Sequence, residues 1–224
     1  MTLARLHGGL AVGASVSVRL PVLPATDVLP LMEGAGYGSI EGGAAVDGSG
    51  DLTVVRLRTL PDFVAPGMRL LVCGLNPSLY SADAGLNFAR PGNRFWPAAL
   101  TAGIVSVDRD PWHALTRHGV GFTDLVKRAT VAASELTAEE YRRGVARLAW
   151  TVALEQPATV CFVGLAGYRA AIDRSAVAGP QPGGFAGAAA YLMPNTSGLN
   201  AHARPAEFAR HLAAAIDLPT GRRG

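Results

Sequence analysis

Apolar and polar positions change rhythm near residue 65 of the chain. Ahead of that point, Ser15 to Leu20 alternate residue by residue, the period of a half-buried strand, and Val28 to Met32 fit a helical turn. Gly34 to Gly50 hold seven glycines and few bulky groups, which predicts a loop or linker. Asp51 to Leu57 read as a further strand. Residues 1–64 are therefore expected to form a small strand–helix–strand appendage with a Gly-rich linker, and no catalytic constellation is visible in them.

Residues 65–224 alternate strand-like and helix-like segments. Arg69 to Cys73, Thr159 to Val163 and Ala189 to Met193 are apolar runs of strand length. Phe95 to Thr101 predicts a helix with Pro97 tolerated in its first turn; Pro111 to Arg117 and Tyr168 to Ile172 predict two more. Thr137-Ala138-Glu139-Glu140 spells a capping box, and Tyr141, Val145, Leu148 and Val152 follow on one helical face. Gly179 to Gly187 reads as a Gly/Pro loop, and Pro205 opens a last helix through Phe208, Leu212 and Ile216. The alternation predicts an α/β fold with a mainly parallel sheet.

Two of the strand-like runs end in polar loops. Leu70-Leu71-Val72-Cys73 leads into Gly74-Leu75-Asn76-Pro77-Ser78. Ala190-Tyr191-Leu192-Met193 leads into Pro194-Asn195-Thr196-Ser197-Gly198-Leu199-Asn200. Open α/β sheets bind ligands beyond the carboxyl ends of their strands, so the two loops are expected to meet at one site.

Composition narrows the classes. With 224 residues, 49% hydrophobic and 17% charged, the chain fills one domain plus an extension and is not disordered by composition. No apolar run approaches the roughly 20 residues of a membrane span. Leu10 to Val18 is diluted by Gly and Ser and stopped by Arg19, unlike a signal peptide, so a cytoplasmic location is expected. Cys73 and Cys161 sit inside apolar runs and read as buried free thiols, too few to hold an iron–sulfur cluster. The five His residues form no metal-binding spacing, so no metal is expected. A net charge of +3 permits a polyanionic partner without requiring one.

The first loop continues as Leu79-Tyr80-Ser81, then Gly85-Leu86-Asn87-Phe88-Ala89-Arg90-Pro91-Gly92-Asn93-Arg94-Phe95-Trp96. This stretch resembles the first motif of the mismatch-specific uracil/thymine-DNA glycosylases, a branch of the uracil-DNA glycosylase superfamily. Met193 to Asn200 is similar to that family's second motif, and Gly119 to Val126 with Arg128-Ala129-Thr130 is similar to its central stretch. The resemblance covers roughly residues 65 to 217. It implies a three-layer α/β/α sandwich around a short mainly parallel sheet.

It also implies roles. Asn76 positions the attacking water; an amide holds a water but is a poor general base, so slow turnover is expected. Phe88 stacks on the flipped pyrimidine, backbone N–H groups near Leu75 and Phe88 read its edge, and Asn87 is an extra contact. Asn195 and Ser197 contact the DNA backbone near the lesion, with Ser78 and Ser81 as further phosphate contacts. Gly198, Leu199 and Asn200 form the wedge, Leu199 filling the place of the flipped nucleotide. Some relatives carry Arg there; this chain has Ala201 and His202, leaving His202 or Arg204 as substitutes. Arg90, Arg94, Lys127, Arg128, Arg142 and Arg143 flank the motifs as a DNA track, while Arg94, Phe95 and Trp96 brace the site.

The reading is a DNA glycosylase that hydrolyses uracil, thymine or a modified pyrimidine opposite guanine, with double-stranded DNA containing G·U or G·T mispairs as its partner. It is expected to be monomeric, to need no metal or organic cofactor, and to lack lyase activity, since neither loop holds a lysine. Two alternatives stand beside it: a non-catalytic module that holds lesions or abasic sites, and a hydrolase of free nucleosides.

Overall fold

The computed structural model describes residues 3–21, 23–39, 51–198 and 205–218. The chain runs α1 (Leu3–Gly8), β1 (Ser15–Arg19), α2 (Ala25–Gly34), β2 (Tyr37–Ser39) and β3 (Asp51–Arg56), then β4 (Leu70–Gly74), α3 (Leu79–Ala84), α4 (Phe95–Thr101) and α5 (Pro111–His118). β5 (Val120–Asp124), α6 (Ala138–Glu155), β6 (Thr159–Val163), α7 (Leu165–Ala171), β7 (Gly179–Phe185), β8 (Ala188–Met193) and α8 (Pro205–Ile216) complete it.

The main sheet has the order β5-β4-β6-β8-β7. Its first four strands are parallel, and β7 is antiparallel to β8. Strands β4, β5 and β6 are buried along their whole length, as strands covered on both faces must be. Registers fix the faces. Val72 lies opposite Phe122 and Cys161, and Cys161 lies opposite Tyr191. This line meets α4 and α8: Phe122 lies against Phe95 and Trp96, and Tyr191 hydrogen-bonds His211 at 2.8 Å. The next line, Cys73 with Thr123 and Phe162, faces the other layer, where Phe162 meets Tyr168 of α7 edge to face at 4.8 Å. Helices on both faces of a mostly parallel sheet make the three-layer α/β/α sandwich. Cys73 and Cys161 are buried free thiols. Among the described residues no helix is long and apolar enough to cross a membrane.

The capping box forms as written: Thr137 accepts from the Glu140 N–H at 3.2 Å, and Glu140 accepts from the Thr137 N–H at 2.8 Å. Leu148 and Val152 are buried, with Tyr141 and Val145 packed beside them. Gly144 lets α6 press onto the Leu125 backbone, where any Cβ would collide with the Leu125 carbonyl.

The structure corrects three readings. Gly179 to Gly187 is not a loop, because residues 179–185 form β7. An edge strand tolerates Pro180 and Pro182, since one side of it needs no donors. The register slips between Gln181 and Phe185, where Gly183 and Gly184 take positive φ and a Cβ on Gly184 would strike the Ala188 carbonyl. The Gly-rich stretch from residue 34 also contains β2; residues 40–50 lie outside the described ones. The appendage is thus α1 and α2 with a three-stranded antiparallel sheet of order β1-β3-β2, and not a single strand–helix–strand unit. Finally, residues 120–124, to which the hydrophobic pattern assigns no element, are β5. The appendage docks on α6, with Trp150 Nε1 donating to Asp27 at 2.9 Å and Arg143 paired to Glu33.

Candidate active site

The carboxyl ends of β4 and β5 stop side by side, with Gly74 opposite Asp124. Pairing continues past both ends: the Leu125 N–H donates to the Gly74 carbonyl and the Val126 N–H to the Leu75 carbonyl, each at 2.9 Å. The loop after β4 is thereby laced to the chain after β5. Asn76 finishes the lacing. Its Nδ2 donates to Thr130 Oγ1 at 2.7 Å, to the Arg128 carbonyl at 3.0 Å and to the Pro77 carbonyl at 3.3 Å. Carbonyls only accept, so these partners fix which end of the amide is nitrogen. Asn76 Oδ1 takes no part in this lacing.

Asp124 is the residue the sequence reading missed. It lies on the Phe122 face of β5, is 5% exposed, and Oδ2 of its carboxyl has no hydrogen-bond partner among the described residues. Its Oδ1 lies against Gly74, so close that no Cβ fits there. Burial pushes its pKa up to about 6; Lys127 and Arg147 oppose the rise and Asp62 adds to it. A buried carboxyl oxygen without a partner calls for an explanation, and here it lies at the end of the sheet beside Gly74. The local signal is weak: Val120-Gly121-Phe122 is too short and too interrupted to read as a strand, and Thr123-Asp124 follows it without a turn cluster.

Phe88 closes the site from the α4 side. It has φ 57°, a left-handed conformation that costs an aromatic residue about 1–3 kcal/mol. Three contacts over-determine it. The Asn87 carbonyl accepts from Trp96 Nε1 at 2.8 Å, the Ala89 N–H donates to Ser81 Oγ at 3.3 Å, and the Phe88 ring stacks on Phe95 at 4.2 Å and 17°. A Cβ placed on Gly74 would come within 3.8 Å of Phe88 Cζ, so Phe88, Gly74 and Asp124 converge. Asn87 is buried, and its Oδ1 also lacks a partner among the described residues. Leu75 turns its side chain onto Gly167 of α7, leaving only its backbone for the site.

The second loop meets the continuation of the first. Thr196 Oγ1 donates to Asn93 Oδ1 at 3.0 Å, the Arg94 N–H donates to the Thr196 carbonyl at 2.9 Å, and Arg94 Nη2 donates to the Ser197 carbonyl at 3.0 Å. Arg94 also lies 4.9 Å over the Phe208 ring, tying α8 to the same point. Gly198 sits against Gly92, whose carbonyl would be 3.0 Å from a Cβ. Asn195 Oδ1 accepts from the Ser197 N–H at 2.9 Å, an Asx turn. Two strand spacings, about 10 Å, separate the ends of β4 and β8. Leu199, Asn200, Ala201, His202 and Arg204 lie outside the described residues.

Most of the other residues expected to contact DNA also have partners within the fold. Ser78 caps α3, accepting from the Ser81 N–H at 3.1 Å. Lys127 pairs with Asp62 at 2.7 Å with its side chain only 9% exposed, Arg128 pairs with Glu140, and Arg142 with Glu139. Arg90 is exposed. Lys127 is also the chain's single lysine. Among the described residues no cluster of His, Cys, Asp or Glu could hold a metal ion.

The family model of the uracil DNA glycosylase superfamily matches residues 61–216, a span that takes in both loops, β5 and α8.

Proposed function

Because the chain belongs to the uracil DNA glycosylase superfamily, and so is a DNA glycosylase, we propose that it excises uracil, and thymine or modified pyrimidines in the same position, opposite guanine in duplex DNA. The observation that carries this reading is the pair of polar groups at adjacent strand ends: the oriented Asn76 amide and the buried Asp124 carboxyl with its unpartnered oxygen.

Hydrolysis breaks the bond between the sugar C1′ and the base nitrogen. The base departs as an anion and the sugar becomes oxocarbenium-like. Asn76 Oδ1 accepts one hydrogen of the attacking water. Asp124, ionised above about pH 6, accepts the proton that the water loses as its oxygen bonds to C1′. Its negative charge, held in a dry site, also stabilises the cationic sugar. The extruded pyrimidine lies along Phe88, and the neighbouring Asn87 amide, buried with its Oδ1 unpartnered among the described residues, is an extra contact to the base. Gly198, Leu199 and Asn200 fill the vacated place in the duplex and contact the unpaired guanine, while Asn195 and Ser197 hold the flanking backbone. Schiff-base lyase chemistry has no lysine to serve it, because neither loop holds one and Lys127 is bound to Asp62.

The test is single-turnover cleavage of duplexes bearing G·U, G·T and A·U and of single-stranded U, with wild type, Asn76→Ala and Asp124→Asn side by side. Abasic product that breaks only on alkali, formed fastest from G·U and lost in both variants, is the expected result. Tight binding of the G·U duplex without cleavage by wild type refutes the catalytic reading for uracil. Equal rates on G·U, A·U and single strands refute the mismatch preference alone.

A further inference from the structure

We infer that Asp62, on the far side of β5 from the site, is a positioning residue that holds and electrostatically tunes Asp124 through Lys127 and Arg147. The inference rests on the proposal that Asp124 acts in hydrolysis.

The contacts form one buried assembly. Phe63 bridges the outer edge of β5, donating its N–H to the Phe122 carbonyl at 2.8 Å and accepting from the Phe122 N–H at 2.9 Å. That bridge brings Asp62 beside Thr123. Asp62 Oδ1 accepts from Thr123 Oγ1 and from Lys127 Nζ, each at 2.7 Å, and Oδ2 accepts from Arg147 Nη1 at 2.7 Å. The other terminal nitrogen of Arg147 donates to the main-chain carbonyl of Asp124. One side of the Arg147 guanidinium therefore holds Asp62 and the other holds the backbone that carries the site carboxylate. Gly144, one turn earlier on α6, makes this approach possible.

The charges are as informative as the contacts. The side chains of Asp62, Lys127 and Arg147 are 6%, 9% and 2% exposed. Two cations share one carboxylate, so the trio carries a surplus positive charge. The acid across the strand that couples to both cations is Asp124. The four groups sum to zero only when Asp124 is ionised, the state that accepts a proton from water. Burying such an ensemble is weak in stability terms, since desolvation offsets most of the attraction; its use is to fix geometry and charge. Other titratable groups face the assembly: the Cys73 thiol from β4, pushed well up by burial, and Glu155 from α6, pushed up by burial and by Asp62.

Each partner acts on Asp124 with a defined sign. Asp62 makes ionisation of Asp124 harder, while Lys127 and Arg147 make it easier. Removing Asp62 and removing Lys127 must therefore move Asp124 in opposite directions. A merely structural role predicts lower rates at every pH with an unmoved midpoint.

The experiment is the pH dependence of single-turnover cleavage of a G·U duplex by the full chain, for wild type, Asp62→Asn, Lys127→Met and Asp124→Asn. The readout is the midpoint of the acid limb, not the height of the plateau. The expected result is a midpoint lowered by about one pH unit in Asp62→Asn and raised by about one unit in Lys127→Met. Midpoints that stay put, or that move the same way, overturn the inference. If Asp62→Asn does not fold, Lys127→Met decides alone: an upward move supports the inference and an unmoved midpoint overturns it. If Asp124→Asn keeps the wild-type rate and limb, the role of Asp124 falls and the inference falls with it. If Asp124→Asn abolishes both while the other two midpoints stay at the wild-type value, the inference alone falls.

Discussion

Replacing Asp124 by Asn separates what the buried carboxyl costs from what it does. Its pKa rises from 3.8 in the unfolded chain to about 6 in the fold, chiefly by burial. For an acid whose folded pKa is raised, the unfolded chain gives up its proton first as pH increases. Between about pH 4 and about pH 6 the native state then binds more protons than the unfolded state, and stability falls as pH rises. Above both values the full penalty is present, about 3 kcal/mol for a shift of about two units. Of this, about 2 kcal/mol develops between pH of about 4.5 and about 7.5. Asn does not titrate, so Asp124→Asn escapes the pH-dependent part. The fixed cost of placing an amide in the site cancels when the same pair of proteins is compared at two pH values. Urea unfolding of wild type and variant at both pH values measures the change. Relative to wild type, Asp124→Asn should gain about 2 kcal/mol on going from the lower to the higher pH. The same variant should lose cleavage by a factor of about 10²–10⁴, the range for removing a positioned base. A stability gap that does not grow with pH refutes the buried-carboxyl argument. A retained cleavage rate refutes its catalytic use.

Three further predictions follow from the same site. Asn76→Ala removes the water's acceptor and frees the 128–130 segment, so single-turnover rates on G·U should fall at least about 10²-fold while duplex affinity, read by fluorescence anisotropy, changes little. Phe88→Ala takes away the stacking face and should weaken capture of the flipped base by about 1–3 kcal/mol, seen as reduced 2-aminopurine fluorescence beside the lesion on mixing. Borohydride added during G·U turnover should trap no protein–DNA adduct, because Lys127 is buried against Asp62; a shifted band on a denaturing gel would contradict the monofunctional assignment.

The sequence alone determined the elements whose signals are local. A capping box, a Pro at a helix start and a four-three-four apolar stripe act within one or two turns, and α4, α5, α6 and α8 stand where those signals put them. Short apolar runs located β4, β6 and β8 for the same reason. The two polar loops were legible as composition at the ends of those runs. β7 was not legible, because its Gly and Pro residues carry turn chemistry and only the edge position, with one ladder to satisfy, lets them be a strand. β5 was missed because Gly121, Thr123 and Asp124 break its apolar run, and the Gly121 within it is required by Met68 and the Phe63 carbonyl, both distant in sequence. Asp124 belongs to the same class. Its residue type was plain, but its meaning depends on the parallel register that sets it opposite Gly74, on Phe88 closing over that glycine, and on Asp62, Lys127 and Arg147 arriving from three separate segments. Propensity and capping are energies of neighbours along the chain. Desolvation and charge coupling are energies of neighbours in space, and those only the tertiary structure could decide.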